Sequence, residues 1–135
     1  MKRNLDLLRN ILIAIEESEN FPQAFDNIAH LSKALNYTDL NTISYHISLL
    51  ADCNYIEYIK FGTIGPSYVD YAIIRLTSQG HDFLDNIRND TVWNKTQEEL
   101  QKYGEGAALE IVKLIAGKIF LRLTGFWQNI RFFSN

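Results

Sequence analysis

"YIEYIKFGTIGPSYVDYAIIRL", residues 55–76, is where the chain changes its hydrophobic period. Before it, apolar residues recur every three or four positions, as on one side of a helix. Within it, Tyr, Ile, Val and Phe crowd into two short runs of strand character. Between the runs lies Thr63-Ile64-Gly65-Pro66-Ser67, where Gly and Pro turn the chain and Pro cannot continue a strand's hydrogen bonding. The stretch therefore reads as a β-hairpin, "YIEYIKF" followed by "YVDYAIIRL".

Upstream, Leu5, Leu8, Ile11, Leu12 and Ile15 share one side of a helix from Asn4 to Glu17, whose other side carries Asp6, Arg9 and Glu17. The polar "ESEN" ends it. Phe25, Ile28, Leu31 and Leu35 then set a second helix, "NYTD" breaks it, and Ile43, Ile47 and Leu50 set a third from Leu40 to near Cys53-Asn54. Downstream, Leu76 is the last inward residue of the second strand, and Thr77 caps a helix with Phe83, Leu84 and Ile87 on its apolar side. Helix, helix, helix, hairpin, helix is the order of a winged helix-turn-helix. The expected fold is α+β and mostly α. It places a winged helix-turn-helix (three helices, a β-hairpin wing, a helix) over residues 1–90 and a C-terminal helical extension over residues 91–135.

A chain of 135 residues with 47% hydrophobic and 21% charged side chains can bury a core without a disulfide or metal staple. A single cysteine, Cys53, fits a reducing compartment, and no basic neighbour lowers its pKa. The start, "MKRNLDLLRN", is interrupted by Asp6 and Arg9 and is not a signal peptide. The apolar residues 107–133 are broken by Glu110, Lys113, Lys118, Arg122 and Arg131, so no bilayer-length span is expected. A soluble, cytoplasmic protein is the expectation. Net charge is −3 and uneven: 4 basic against 6 acidic residues over 1–40, 3 against 6 over 41–90, and 6 against 4 over 91–135. The acidic middle runs counter to DNA binding, which draws its non-specific affinity from Lys and Arg on phosphates.

"NTISYHISLLADCNYIE", residues 41–57, is similar to the recognition helix and following strand of bacterial arsenic-repressor-like and other winged-helix regulators. Those read Ser-Thr-Val-Ser-Arg-His-Leu-Lys-x-Leu; Asn41, Thr42, Ile43, Ser44, His46, Ile47 and Leu50 fit, whereas Tyr45 and Ser48 stand at the two basic positions. A second resemblance covers nearly the whole chain. "MKRNLDLLRNILIAIEE", "YHISLLADCNYIE" and above all "LTSQGHDFLDNIRNDTVWNKT" resemble the bacterial and prophage family catalogued as domain of unknown function 2513. That resemblance implies a helix-turn-helix fold and brings no activity with it.

His81 and Asp85 lie four apart on one helical side, with Arg88 three further on, a spacing that suits a His/Asp base or two metal ligands. With no nucleophile or third ligand nearby, the expected role is a helix-stabilising lattice, with Asp90 or Thr91 capping the next helix and Trp93 in the core. His30 and His46 are expected to be part-buried and satisfied. No phosphate-binding loop, Gly-x-Gly-x-x-Gly run or metalloprotease pair occurs, so neither an enzyme nor a cofactor is expected, and no metal site.

The polar surface of the third helix, Asn41, Thr42, Ser44, Tyr45 and Ser48, and Lys60 of the wing are the candidate nucleic-acid contacts. In the last third, Thr96 and Glu99 have capping-box spacing and Gly104 and Gly106 mark a break. Beyond it, Leu109, Val112, Ile115, Ala116, Ile119, Leu123 and Phe126 make one wide stripe, with Ile111, Leu114 and Leu121 outside it. A helix apolar on more than one side calls for a second partner, so Ile111, Leu114, Ile119, Leu121, Leu123 and Trp127 are candidate interface residues of a homodimer. The basic residues there do not form one polar face, which weighs against an interfacial membrane helix. Two functions follow as expectations. One is a dimeric winged-helix regulator that binds double-stranded DNA; the other is a winged-helix module of prophage or mobile-element biology that binds a protein partner instead.

Overall fold

In the computed structural model, which describes residues 1–65, 67–102 and 108–125, helices give way to strands at the change of period. The order is α1 (Leu5–Glu17), α2 (Ile28–Leu35), α3 (Leu40–Asp52), β1 (Ile56–Ile64), β2 (Tyr68–Leu76), α4 (Ser78–Ile87), α5 (Asp90–Gln101) and α6 (Leu109–Thr124). Six helices and one two-stranded antiparallel sheet make a mostly helical α+β protein among the described residues. The chain divides into two compact units, Met1–Leu84 and the residues from Asp85 onward.

In the first unit the helices begin where short polar side chains can accept from their unsatisfied N–H groups. Asn4 caps α1 through Leu7, Asn27 caps α2 through His30, and Asp39 caps α3 through Thr42. Leu7, Leu8, Ile11, Leu12 and Ile15 of α1, Ile28 and Leu31 of α2, and Ile43, Ile47 and Leu50 of α3 are buried together with Ile73 and Leu76 of β2. Asn54, at φ +61, turns the chain out of α3, and the Tyr55 N–H then donates to the Leu50 carbonyl (3.0 Å).

The hairpin pairs Ile56 with Leu76 and Ile64 with Tyr68, with irregularities between Glu57 and Tyr58 and between Lys60 and Gly62. β1 reaches Ile64, two residues into the expected linker, and the Ser67 N–H donates to the Ile64 carbonyl (3.1 Å) to close the turn. The two strands differ in burial. β2 is buried from Asp70 to Ile73, whereas β1 is buried only at Ile56.

Phe25 is not in the second helix as its spacing suggested. It forms a one-residue antiparallel bridge with Ile73: each N–H donates to the other's carbonyl, at 3.1 and 2.9 Å, and the Ala24 N–H adds a bond to Ile74. Three residues before Ile28, Phe25 falls in step with the helix by coincidence. Asn27, in extended backbone, marks the true start. The helix is further fixed from a distance, because the buried Asp70 carboxylate on β2 accepts from the Ile28 N–H (2.9 Å) and from its neighbour Tyr71 (3.0 Å).

Thr77 caps α4 as expected. Its hydroxyl accepts from the Gly80 N–H (3.0 Å) and donates to the Asn54 carbonyl (2.7 Å). Gly80 is required there by contact: a Cβ on it would lie 2.1 Å from the Tyr55 carbonyl oxygen. The "LTSQG" that ends the hairpin thus seats the next helix directly on the turn after α3.

In the second unit the cap of α5 is Asn89, accepting from Val92, and neither Asp90 nor Thr91. Thr96 does not begin a helix either. It is buried in mid-α5 and its hydroxyl donates to the Val92 carbonyl (2.7 Å), so its spacing to Glu99 is incidental. Val92, Trp93, Thr96 and Leu100 of α5 and Leu109, Val112, Ala116 and Ile119 of α6 are buried. α6 ends at Gly125, at φ +72.

Candidate functional site

Four residues of α3 form its solvent stripe. Asn41, Tyr45 and Asp52 are exposed and Ser48 is half-buried, at spacings of four, three and four that put them on one side of the helix. Thr42 is engaged in the cap: its hydroxyl donates to Asp39 (2.8 Å) and its N–H to the same carboxylate (3.2 Å). Those bonds, the hydroxyl's first, hold the Asp39 carboxyl below the usual carboxylate range. A fixed negative charge therefore sits at the helix N-terminus, the place where a recognition helix otherwise meets phosphate.

Ser44 leaves the list of surface contacts. It is buried, and its hydroxyl donates to the Val69 carbonyl of β2. A serine that looks like part of a polar surface in the sequence is in fact a tie between α3 and the hairpin. His46 is buried as well, and both its ring nitrogens are engaged. Nε2 accepts from the Asn4 N–H (2.8 Å), Nδ1 lies 2.7 Å from the Thr42 carbonyl, and Tyr45 meets the ring edge-on.

Lys60 is exposed on β1, but its companions there are apolar. Tyr58 is 41% exposed, Ile59 49%, Phe61 59% and Ile64 50%. The strand's charges are Glu57, paired with Arg75 across the hairpin (2.7 Å), and Lys60. Sequence reasoning did not single out these four side chains. Their type made a strand, and only the packing shows that β2 takes the buried position while β1 stands outside. Burial, reinforced by Tyr58 and Asp52, pushes the Tyr71 hydroxyl up. The end of α3 and the hairpin lie close together. No Lys or Arg occurs in α3, and a carboxylate stands at each end of it, Asp39 and Asp52.

The His81 signature separates into two pairs, one between helices and one local. His81 Nδ1 is 3.9 Å from Glu16 of α1, and Arg88 is bonded to Asp85 at 2.7 Å. Among the described residues, no group of three or more His, Cys, Asp or Glu is placed to hold a metal ion.

On α6, Ile111, Leu114 and Leu123 are exposed and Leu121 is half-buried, whereas Ile119 is buried. It lies three and seven residues beyond Ala116 and Val112, in the stripe that packs inward. Trp127 and Phe126 lie outside the described residues. No described helix is long and apolar enough to cross a membrane.

A protein of Haemophilus influenzae, described as "Uncharacterized protein", is 32% identical over 123 residues, which cover 91% of this chain and 98% of the relative. No solved structure matches. The family described as "Hypothetical protein (DUF2513)" matches residues 2–106, and it is to this family that the chain belongs.

Proposed function

We propose that residues 1–84 are a winged helix-turn-helix used as a protein-interaction module, with the outer strand of the wing and the solvent stripe of α3 as its contact surface. The observation that carries this reading is the half-exposed quartet of Tyr58, Ile59, Phe61 and Ile64 close to a helix that lacks Lys and Arg and has a carboxylate at each end. Exposed apolar side chains along a strand edge of this kind are what protein partners cover. A duplex requires cations at the same place. The order of α2, α3 and hairpin, together with the Phe25–Ile73 bridge, supports the winged-helix assignment. The exposed apolar residues of α6 offer a second protein-facing surface for a homodimer.

A second reading, a DNA-binding transcription regulator, is favoured by one observation: Asn41, Tyr45 and Lys60 all reach solvent on the helix and wing that such regulators use. Anisotropy of labelled random duplex DNA, at low and at physiological salt, separates the two. The interaction reading expects no salt-sensitive binding. It also expects a photo-crosslinking amino acid at position 61 to yield a discrete protein adduct in cells. Binding that falls steeply with salt, or adducts to nucleic acid alone, would overturn it in favour of the regulator.

A further inference from the structure

His46 is the buried titratable group that the contact surface does not use, and its position is unusual in what it joins. The ring sits in the middle of α3 with no exposure, yet the group on its Nε2 is the backbone N–H of Asn4, 42 residues earlier. Asn4 is the residue that starts α1. Its side-chain oxygen accepts from Leu7 (3.0 Å) and its carbonyl accepts from Leu8 (3.1 Å). On the other side of the ring, Nδ1 faces the Thr42 carbonyl at 2.7 Å, which a nitrogen can bond only by donating. The two partners therefore fix the ring: Nδ1 carries the proton, Nε2 carries the lone pair, and the imidazole is neutral.

We propose that His46 is a proton-operated latch, fastening the first turn of α1 to α3 when neutral and releasing it when protonated. Adding a proton to Nε2 turns the acceptor into a donor pointing at the Asn4 N–H. The bond then becomes a repulsive contact between two N–H groups, and Asn4 must move away for the cation to be solvated. The surroundings do not soften this. The groups acting on the ring's titration are its own burial, which disfavours the cation, and the Thr42 carbonyl, which favours it less strongly. No charged side chain of α1, α2, β1 or β2 is among those causes, and Tyr45 is the titratable ring against its edge. Release stays local, because Leu7, Leu8 and Ile11 keep the rest of α1 buried. What changes is the setting of the first turn, and with it the basic start Lys2-Arg3, relative to α3. The latch operates whether α3 meets a protein or a duplex.

The test is nitrogen-detected NMR of the imidazole, together with amide exchange, on the full chain. At about pH 7.5 the His46 ring is expected as the Nδ1–H tautomer. Between about pH 7.5 and 5, the Leu7 and Leu8 amides should lose at least roughly tenfold protection after correction for intrinsic exchange, while Ile47 and Ile73 keep theirs. In His46→Gln, whose amide oxygen can accept without titrating, that loss should disappear; its persistence would assign the effect to another group and overturn the proposal. An Nε2–H tautomer, unchanged protection in acid, or a loss spread over the whole unit would each overturn it too. The wild-type measurements decide the matter even if the variant does not fold.

Discussion

Replacing Gly80 by Ala tests the seat of α4 on the turn after α3. The new Cβ would stand 2.1 Å from the Tyr55 carbonyl oxygen, 3.0 Å from its carbon and 3.3 Å from its Cα. Carbon and oxygen in ordinary contact lie roughly 3.3 Å apart, so one backbone must retreat by about 1.2 Å. Neither can do so cheaply. The Tyr55 N–H is bonded to Leu50 and its carbonyl accepts from Thr77 (2.9 Å), while its ring stacks on Phe83 with centroids 4.9 Å apart. Overpacking of this kind costs about 3 kcal/mol when the neighbour is rigid, and the better helix propensity of Ala returns about 1. The net loss is about 2 kcal/mol, which in a unit of this size lowers Tm by roughly 8–16 °C. Thermal unfolding followed by circular dichroism measures it. Gly117→Ala is the matched control, since its Cβ would meet nothing nearer than Asn86 Nδ2 at 3.8 Å. That variant should gain about 0.5–1 kcal/mol. A Gly80→Ala protein melting within about 2 °C of wild type would refute the reasoning, because the same exchange would then cost nothing against a backbone.

Asp70→Ala removes the acceptor of two N–H groups, Ile28 and Tyr71, and should destabilise the first unit by about 2–4 kcal/mol in urea unfolding. Ser44→Ala should cost about 1 kcal/mol through the lost Val69 bond, whereas Tyr45→Ala should leave stability within about 0.5 kcal/mol and weaken partner capture. Acidity gives a fourth expectation. Burial holds the folded His46 below the ordinary imidazole value of about 6.5, so between the two values the unfolded chain binds the extra proton. This group leaves stability untouched above about pH 6.5 and lowers it progressively as pH falls from there through the folded value. Denaturant midpoints at several pH values check the slope, which should vanish in His46→Gln.

The sequence displayed the elements better than their roles. α1, α3 and the hairpin follow from periodicity, and Thr77 follows from its place between strand and apolar run, because those signals are local. Phe25 and Thr96 misled for the same reason: a spacing of three is shared by a helix, a bridge residue and a chance pair. Ser44 has the chemistry of a surface contact, and only a carbonyl 25 residues away draws it inside. The exposed quartet on β1 was hidden differently. Tyr, Ile and Phe mark a strand without saying which strand of a hairpin the core will cover.

The bond between Asp70 and Ile28 also bears on the order in which the chain acquires its structure. α2 has eight residues, too few to persist alone in water. Its first N–H is satisfied by a carboxylate made 42 residues later, after the turn of the hairpin. During synthesis the second helix is therefore expected to be completed only once β2 has left the ribosome and found its register. Asp70→Ala, acting on a contact formed late, should accelerate unfolding far more than it slows folding.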